Sequence, residues 1–353
     1  MKIARIGIFS MLLAVLGTAI PGAARGADKV QVCATVPELG DLVREVGGDA
    51  VDVTVFAKPG EDPHFVIAKP SYIRRLADAD LLILVGLDLE IGWLPTLIGQ
   101  SRNPRIVRGT PGYVDGGSVV TPLEVPTVVD RAMGDVHPQG NPHYLLDPLE
   151  GLKVAALIRD RLSTVDPTHA SVYANGYDAF RRRMGERLVG PALAAKYDFE
   201  KLALLAEHGR LEGFLTSQGD RAKLAGWLGE MTPFHGAKVV VDHMLWPYFS
   251  RRFDIEVVGA IEPKPRVPPS TSHLADLIDR MKAQGVRAIL SAPYFDPASA
   301  RLLAEHTGAA VVPMAHQAGS RPGTDGYLDM VDYNVRALTH ALGAAKEGKS
   351  DEG

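Results

Sequence analysis

Residues 30–56 read VQVCATVPELGDLVREVGGDAVDVTVF. A β-branched run, Val30–Val36, gives way to a helical pattern, Leu39–Val46, which stops at Gly47-Gly48. A second β-branched run, Val51–Phe56, then begins. Two strand patterns joined through a helix make a crossover, and crossovers connect parallel strands. The alternation continues with strand candidates Leu81–Gly86 and Arg105–Val107, and with a helix over Tyr72–Ala77 behind a Ser71 cap. It starts afresh near Lys238–Asp242 and runs on through Glu256–Ile261, Ala288–Ala292 and Ala310–Pro313, with helices near Thr271–Gln284 and Pro297–His306. The fold class is therefore α/β, with two lobes, each a mostly parallel β-sheet flanked by helices.

The middle of the chain has a different texture. Leu149–Leu162 and His169–Leu188 read as helices on either side of Asp166-Pro167, and the second is long and charged, as one linker helix joining two lobes would be. The expected division is an N-terminal lobe over 28–165, the linker over 166–190, a helix-rich extension over 191–235 and a C-terminal lobe over 236–353. Residues 110–142 are rich in Gly and Pro and lack periodicity, which marks a long functional loop.

The chain has 353 residues, 46% hydrophobic and 23% charged, with a net charge of -4. That length accommodates two domains, and the mixed charges offer no basic stripe for nucleic acid. Lys2 and Arg5, the apolar run Ile6–Ile20 and the small residues after Pro21 read as a signal peptide over 1–27, cut between Ala24 and Ala27. Cleavage after Ala27 removes three basic residues and leaves a net charge of -7. The expected product is an exported, soluble monomer. Cys33 is the single cysteine, so no intramolecular disulfide forms; its setting lacks the small residues of a lipid-anchor site and suits a buried strand residue. Gly343–Ser350 matches the phosphate-loop pattern letter for letter, but a helix precedes it and almost nothing follows it, so the match is accidental.

Of the eleven histidines, His169, His208, His235, His273, His306 and His340 sit in helical surroundings without neighbouring ligands and are read as ordinary. His316 follows the last strand, at a possible cleft edge, with nothing else to support a role. Three others are better placed. His64 lies in Pro59-Gly60-Glu61-Asp62-Pro63-His64-Phe65, beyond a strand's carboxyl end; His143 lies in Asn141-Pro142-His143-Tyr144-Leu145-Leu146-Asp147-Pro148; His243 ends Val239-Val240-Val241-Asp242-His243. Open α/β sheets present ligands at such strand ends. Asp296, before Pro297, stands past another strand and by itself reads as a helix cap.

These segments, with Ala77–Glu90, Val239–Phe249, Glu256–Pro269 and Ala292–Pro297, resemble the zinc/manganese solute-binding proteins of ABC transporters, the cluster A-I or cluster 9 family. The resemblance follows the family's order along nearly the whole mature chain. It implies two α/β lobes joined by a long helix, with the metal between them, and metal positions on His64, His143, His243 and Asp296. It further implies a periplasmic carrier that hands Zn2+ to an inner-membrane permease driven by a cytoplasmic ATPase, with a zinc metallochaperone as a further partner. The pattern departs from the family at Tyr144-Leu145-Leu146 and in the length of 191–235.

Three imidazoles and one carboxylate suit Zn2+. Manganese-type members resemble this pattern but carry a carboxylate where His243 stands, so manganese is the second choice. Four protein ligands close the coordination shell, and H-E-x-x-H is absent, so a periplasmic zinc hydrolase is the weaker alternative and a surface adhesin a third. His137, on the long loop, is read either as a solvated histidine or as an accessory ligand that captures incoming metal. Ordinary imidazole chemistry predicts that affinity falls as pH drops through about 6.5.

Overall fold

Val30–Ala34 forms β1, buried except at Gln31, in the middle of the first sheet. The computed structural model describes residues 29–126, 137–263 and 267–350, so the signal-peptide reading lies outside the described residues. β2 (Val51–Val55), β3 (Leu81–Leu84) and β4 (Tyr113–Asp115) complete a sheet of order β2-β1-β3-β4, parallel throughout. β5 (Ala237–Val241), β6 (Ile255–Ala260), β7 (Ala288–Ser291) and β8 (Ala310–Pro313) form a second sheet of order β6-β5-β7-β8, also parallel. The second half thus repeats the connectivity of the first. β3 and β7 are buried at every position, which suits continuous apolar runs covered on both faces. In each sheet the chain turns opposite ways beside the central strand, so the loops leaving neighbouring carboxyl ends diverge and open a crevice.

Helices α1 (Pro37–Gly47), α2 (Pro70–Asp78) and α3 (Leu94–Ser101) belong to the first lobe. α10 (Pro247–Phe253), α11 (Thr271–Gln284) and α12 (Pro297–Thr307) belong to the second. Between them run α4 (Pro148–Val165), the long α5 (Ala170–Val189) and four short helices, α6 (Pro191–Lys196), α7 (Phe199–Glu207), α8 (Leu211–Ser217) and α9 (Gly226–Met231). α5 buries Tyr173, Tyr177, Phe180, Met184 and Leu188, a stripe at helical spacing, against α1, α4 and α9. The last helix, α13 (Tyr327–Ser350), returns toward the first lobe, where Tyr327 N donates to the Asp41 carboxylate at 2.7 Å.

Three local expectations need correction. Arg105–Val107 is not a strand. Pro104 supplies no N–H, and Asn103 accepts from Arg105 N at 3.0 Å, so Pro104–Ile106 closes into a 3-10 turn. The fourth strand is Tyr113–Asp115 instead, inside the stretch read as loop. Ser71 does not cap α2: that helix begins at Pro70, whose missing N–H needs no partner there. The phosphate-loop match at Gly343–Ser350 lies within α13, so it forms no loop. Cys33 is buried in β1, and burial pushes its thiol up to about 12, which makes it inert.

What joins the lobes most firmly is an ion pair. Asp147 caps α4 by accepting from Leu149 N at 2.9 Å, and its two oxygens also meet Arg252 Nε at 2.8 Å and Arg252 Nη2 at 2.9 Å. Asp147 and Arg252 are both buried. Arg251 adds contacts to Asp147 at 3.2 Å and Glu150 at 2.8 Å. Removing Arg252 leaves the buried Asp147 charge only partly compensated, by Arg251 and the Leu149 N–H. Arg252→Ala is expected to lower the unfolding free energy by about 3–5 kcal/mol in urea titration. Arg183→Ala, which breaks an exposed pair with Glu45, should change it by no more than about 1 kcal/mol.

Candidate metal centre

His64 is set by a turn that follows β2. Gly60 takes the left-handed conformation (φ 80°) that turns the chain, and Pro63 opens a 3-10 turn, Pro63–Phe65. The Asp62 side chain caps that turn through His64 N at 3.1 Å, and the Trp93 indole pins it by donating to Pro63 O at 3.1 Å. Asp62 Oδ1 also lies 2.7 Å from His64 Nδ1. A carboxylate accepts and does not donate, so Nδ1 carries the ring proton and the lone pair of Nε2 is left for a metal.

The other two expected histidines repeat this arrangement by different means. His243 leaves β5 with its Nδ1 2.7 Å from the Glu262 carbonyl, an acceptor held to the same strand extension by Glu262 N donating to Asp242 O at 2.7 Å. His143 has its Nδ1 3.2 Å from Nε2 of His316, and His316 Nδ1 lies 3.4 Å from the Tyr294 hydroxyl. In all three rings Nδ1 is engaged with a neighbour. At His64 and His243 that neighbour is an oxygen without a proton, so Nδ1 carries the ring proton and the lone pair sits on Nε2.

His137 brings a further donor. Its Nε2 lies 3.1 Å from Nε2 of His64. Metal–nitrogen bonds of about 2.05 Å at tetrahedral angles put two ligand nitrogens about 3.3 Å apart, close to this spacing. Ring centres are 5.1 Å apart for His64 and His137, 5.3 Å for His64 and His143, 6.5 Å for His137 and His143, and 5.0 Å for His143 and His316. The approach is pairwise: among the described residues no group of three or more His, Cys, Asp or Glu donors is already set to hold one ion.

Burial keeps much of the cluster uncharged. It is the main cause that holds His137 down to about 4, reinforced by the neighbouring His64 and His243. Burial likewise puts His316 at about 4, with His64 adding to the effect and Asp62 opposing it. His143 is pushed well below the ordinary range by burial first, then by His316, His64, His137 and His243. Neutral imidazole is the form that binds metal.

Asp296 stands apart from these rings. Its carboxylate caps α12 by accepting from Ala298 N at 3.0 Å, is exposed, and faces an interlobe cavity of about 380 Å³ shared with Glu61, Asp62 and Glu262. Proline at the first helical position favours that cap. The buried fourth member at the carboxyl end of the second sheet is His316. Its strand-end position was the one available signal, the same signal that singles out His64 and His243.

A family profile described as the zinc-uptake complex component A, periplasmic, matches residues 32–187 and 223–341. A high-affinity zinc uptake system protein of Paracoccus denitrificans is 26% identical over 371 residues, spanning 95% of this chain and 98% of the relative. A manganese-binding lipoprotein of Halalkalibacterium halodurans is 20% identical over 343 residues, spanning 96% of each chain. Among solved structures, a crystal structure of a ZnuA protein superposes with a TM-score of 0.64 at 22% identity, over 89% of this chain and 99% of the other. A manganese-bound periplasmic metal-binding protein from Candidatus Liberibacter asiaticus gives 0.63 at 18% identity, over 89% and 100%. Residues 188–222, between the matched stretches, hold α6, α7 and α8, within the extension noticed in the sequence.

The depressed histidines have a measurable consequence. Between about 6.5 and 4 the unfolded chain takes up protons that the folded rings refuse, so these rings stabilise the metal-free fold above that window and the contribution is lost as pH falls through it. Proton NMR of the metal-free protein should place the His137 and His316 midpoints near 4. Midpoints at the ordinary 6.5 would mean that the rings are solvated and the cluster is not formed.

Proposed function

The chain belongs to the periplasmic zinc-uptake component family, as a solute-binding protein that serves an ABC-type importer of divalent metal and not as an enzyme, and from that premise we propose that its cargo is Zn2+. The observation that carries the choice is the donor set. Each of His64, His143 and His243 has Nδ1 engaged with a neighbour, the arrangement in which the other ring nitrogen serves as the metal ligand. His137 supplies the fourth nitrogen in place of Asp296. Ring rotation draws His64, His137 and His143, whose centres are 5.1–6.5 Å apart, onto one ion together with His243, which is close enough to act electrostatically on His137 and His143. Imidazoles suit Zn2+, whereas Mn2+ prefers oxygen donors.

Asp296 retains a role at the mouth of the site. With Glu61, Asp62 and Glu262 it lines a cavity whose described lining is acidic and aromatic or aliphatic, with Phe295 of that lining packed beside the His243 ring. Those carboxylates raise the local concentration of cations and so speed their arrival. His137, next on the path, takes the ion over from them and keeps it. Manganese is the second reading, favoured by the same carboxylates and by the likeness to a manganese-binding lipoprotein. The loaded protein delivers its ion to the cognate permease and ATPase, and a zinc metallochaperone supplies it.

Calorimetry on the metal-free protein should give one Zn2+ per chain, with Mn2+ bound more weakly. Substituting His64, His143 or His243 by Ala should weaken Zn2+ by about a hundredfold, the upper range for lost metal-site groups. Asp296→Asn should leave the equilibrium affinity within about threefold while slowing association at low salt. His137→Ala should slow association and also speed release. His137, held down to about 4 by burial, should go on competing for the metal at pH values well below 6.5, so the part of the affinity lost in His137→Ala should persist toward pH 4. Equal affinity for Mn2+, or indifference to the three strand-end histidines, would overturn the reading.

A further inference from the structure

Asn141 stands two residues before His143, is buried, and has every polar group occupied. Its Oδ1 accepts from His143 N at 3.0 Å. Its Nδ2 donates to Met244 O at 2.7 Å and to Glu124 Oε2 at 2.9 Å. Met244 is the residue after His243. One side-chain amide therefore ties the backbone at a donor of the first lobe to the backbone beside a donor of the second.

Tyr248, the second residue of α10, holds the same point from the other side. Its hydroxyl donates to Asn141 O at 2.9 Å and accepts from Leu123 N at 3.0 Å, while Asn141 N donates to Leu123 O at 2.8 Å. Gly140 lets the chain come in this close. It has φ 106°, and a Cβ there would meet Pro122 Cβ at 2.6 Å and Leu123 O at 2.9 Å. Tyr248 is itself fixed, fully buried with its ring 6.3 Å from that of Tyr144.

We propose that Asn141 and Tyr248 are positioning residues that form a clasp between the lobes and fix the His143–His243 spacing before metal arrives. The clasp rests on the reading of His143 and His243 as donors to one ion, and it adds that the cleft is preset and does not close on its cargo. A preset site loses little order on loading and holds the ion by slow release. Asn141→Asp keeps the acceptor for His143 N but turns the donor toward Met244 O and Glu124 into a second acceptor. Tyr248→Phe keeps the ring and removes both hydroxyl bonds.

The test uses spin labels on Ser71→Cys and Asp276→Cys, at exposed positions one in each lobe, with interlobe distances read by pulsed electron resonance. Without substitution in the clasp, the metal-free and Zn2+-loaded distances should coincide. Tyr248→Phe and Asn141→Asp should broaden the metal-free distribution. In the unlabelled protein, chelator-competition stopped flow should show Zn2+ release accelerated about fivefold and about tenfold or more respectively, as expected when buried hydrogen bonds are lost. The Tyr248→Phe melting temperature without metal should stay near that of the parent, which separates positioning from loss of fold. If Asn141→Asp does not fold, Tyr248→Phe alone decides. A parent distance that shortens on loading, or unchanged release and distances in Tyr248→Phe, overturns the clasp. Should the parent take up no Zn2+ at all, the cargo assignment fails, and the metal-free distances still test the clasp.

Discussion

The buried pairing of Asp147 with Arg252 is the constraint around which the molecule is arranged. A carboxylate withdrawn from water must be paired and fully hydrogen-bonded, or it costs several kcal/mol. Asp147 meets that demand with a helix cap from its own lobe and a bidentate guanidinium from the other. Its neighbours along the chain inherit the geometry. His143 lies four residues upstream of Asp147, and α10, which carries Arg252, starts four residues after His243. The cleft between the sheets is therefore spanned at its base by groups that cannot separate without exposing an unpaired charge.

On that base the rings are oriented through Nδ1. A carboxylate at His64, a peptide carbonyl at His243 and another imidazole at His143 are chemically unlike, yet each engages that nitrogen. The third is the unusual one. Two imidazoles that share one hydrogen bond must both be neutral or nearly so, and burial holds His143 and His316 in that state. Two depressed imidazoles in contact are a stable arrangement because neither has to carry a charge in the interior.

The fold was legible wherever local pattern and tertiary role agree. The β-branched runs at Val30, Val51, Val239 and Ile289 name strands because covered parallel strands are apolar along their length. Tyr113–Asp115 escaped notice because a three-residue strand between Gly112 and Gly116 has too little pattern to stand out, and its pairing with β3 is decided by the sheet. His64, His143 and His243 could be singled out from strand ends and turn residues. His316 shared the position but lacked a turn signature, and its value depends on contact with His143, 173 residues away. Asp296 shows the opposite case: an acid before Pro is first of all a cap, and the local preference prevails. The orienting carbonyl of Glu262 is invisible to any reading of side chains.

Oxygen donors and nitrogen donors adjoin at the mouth of the cleft, where Asp62 Oδ1 lies 2.7 Å from His64 Nδ1, and their order inward bears on selectivity. The carboxylates of Glu61, Asp62, Glu262 and Asp296 line the outer cavity, while His143 and His316 are buried. A carboxylate attracts any divalent cation by charge, with little preference among them. Imidazole discriminates, because its bond strength follows the order in which Zn2+ exceeds Mn2+. On the proposed zinc reading, the place of Asp296 at the cap of α12 leaves the choice of ion to the neutral nitrogens, and harder ions gain only from the attraction of the outer carboxylates.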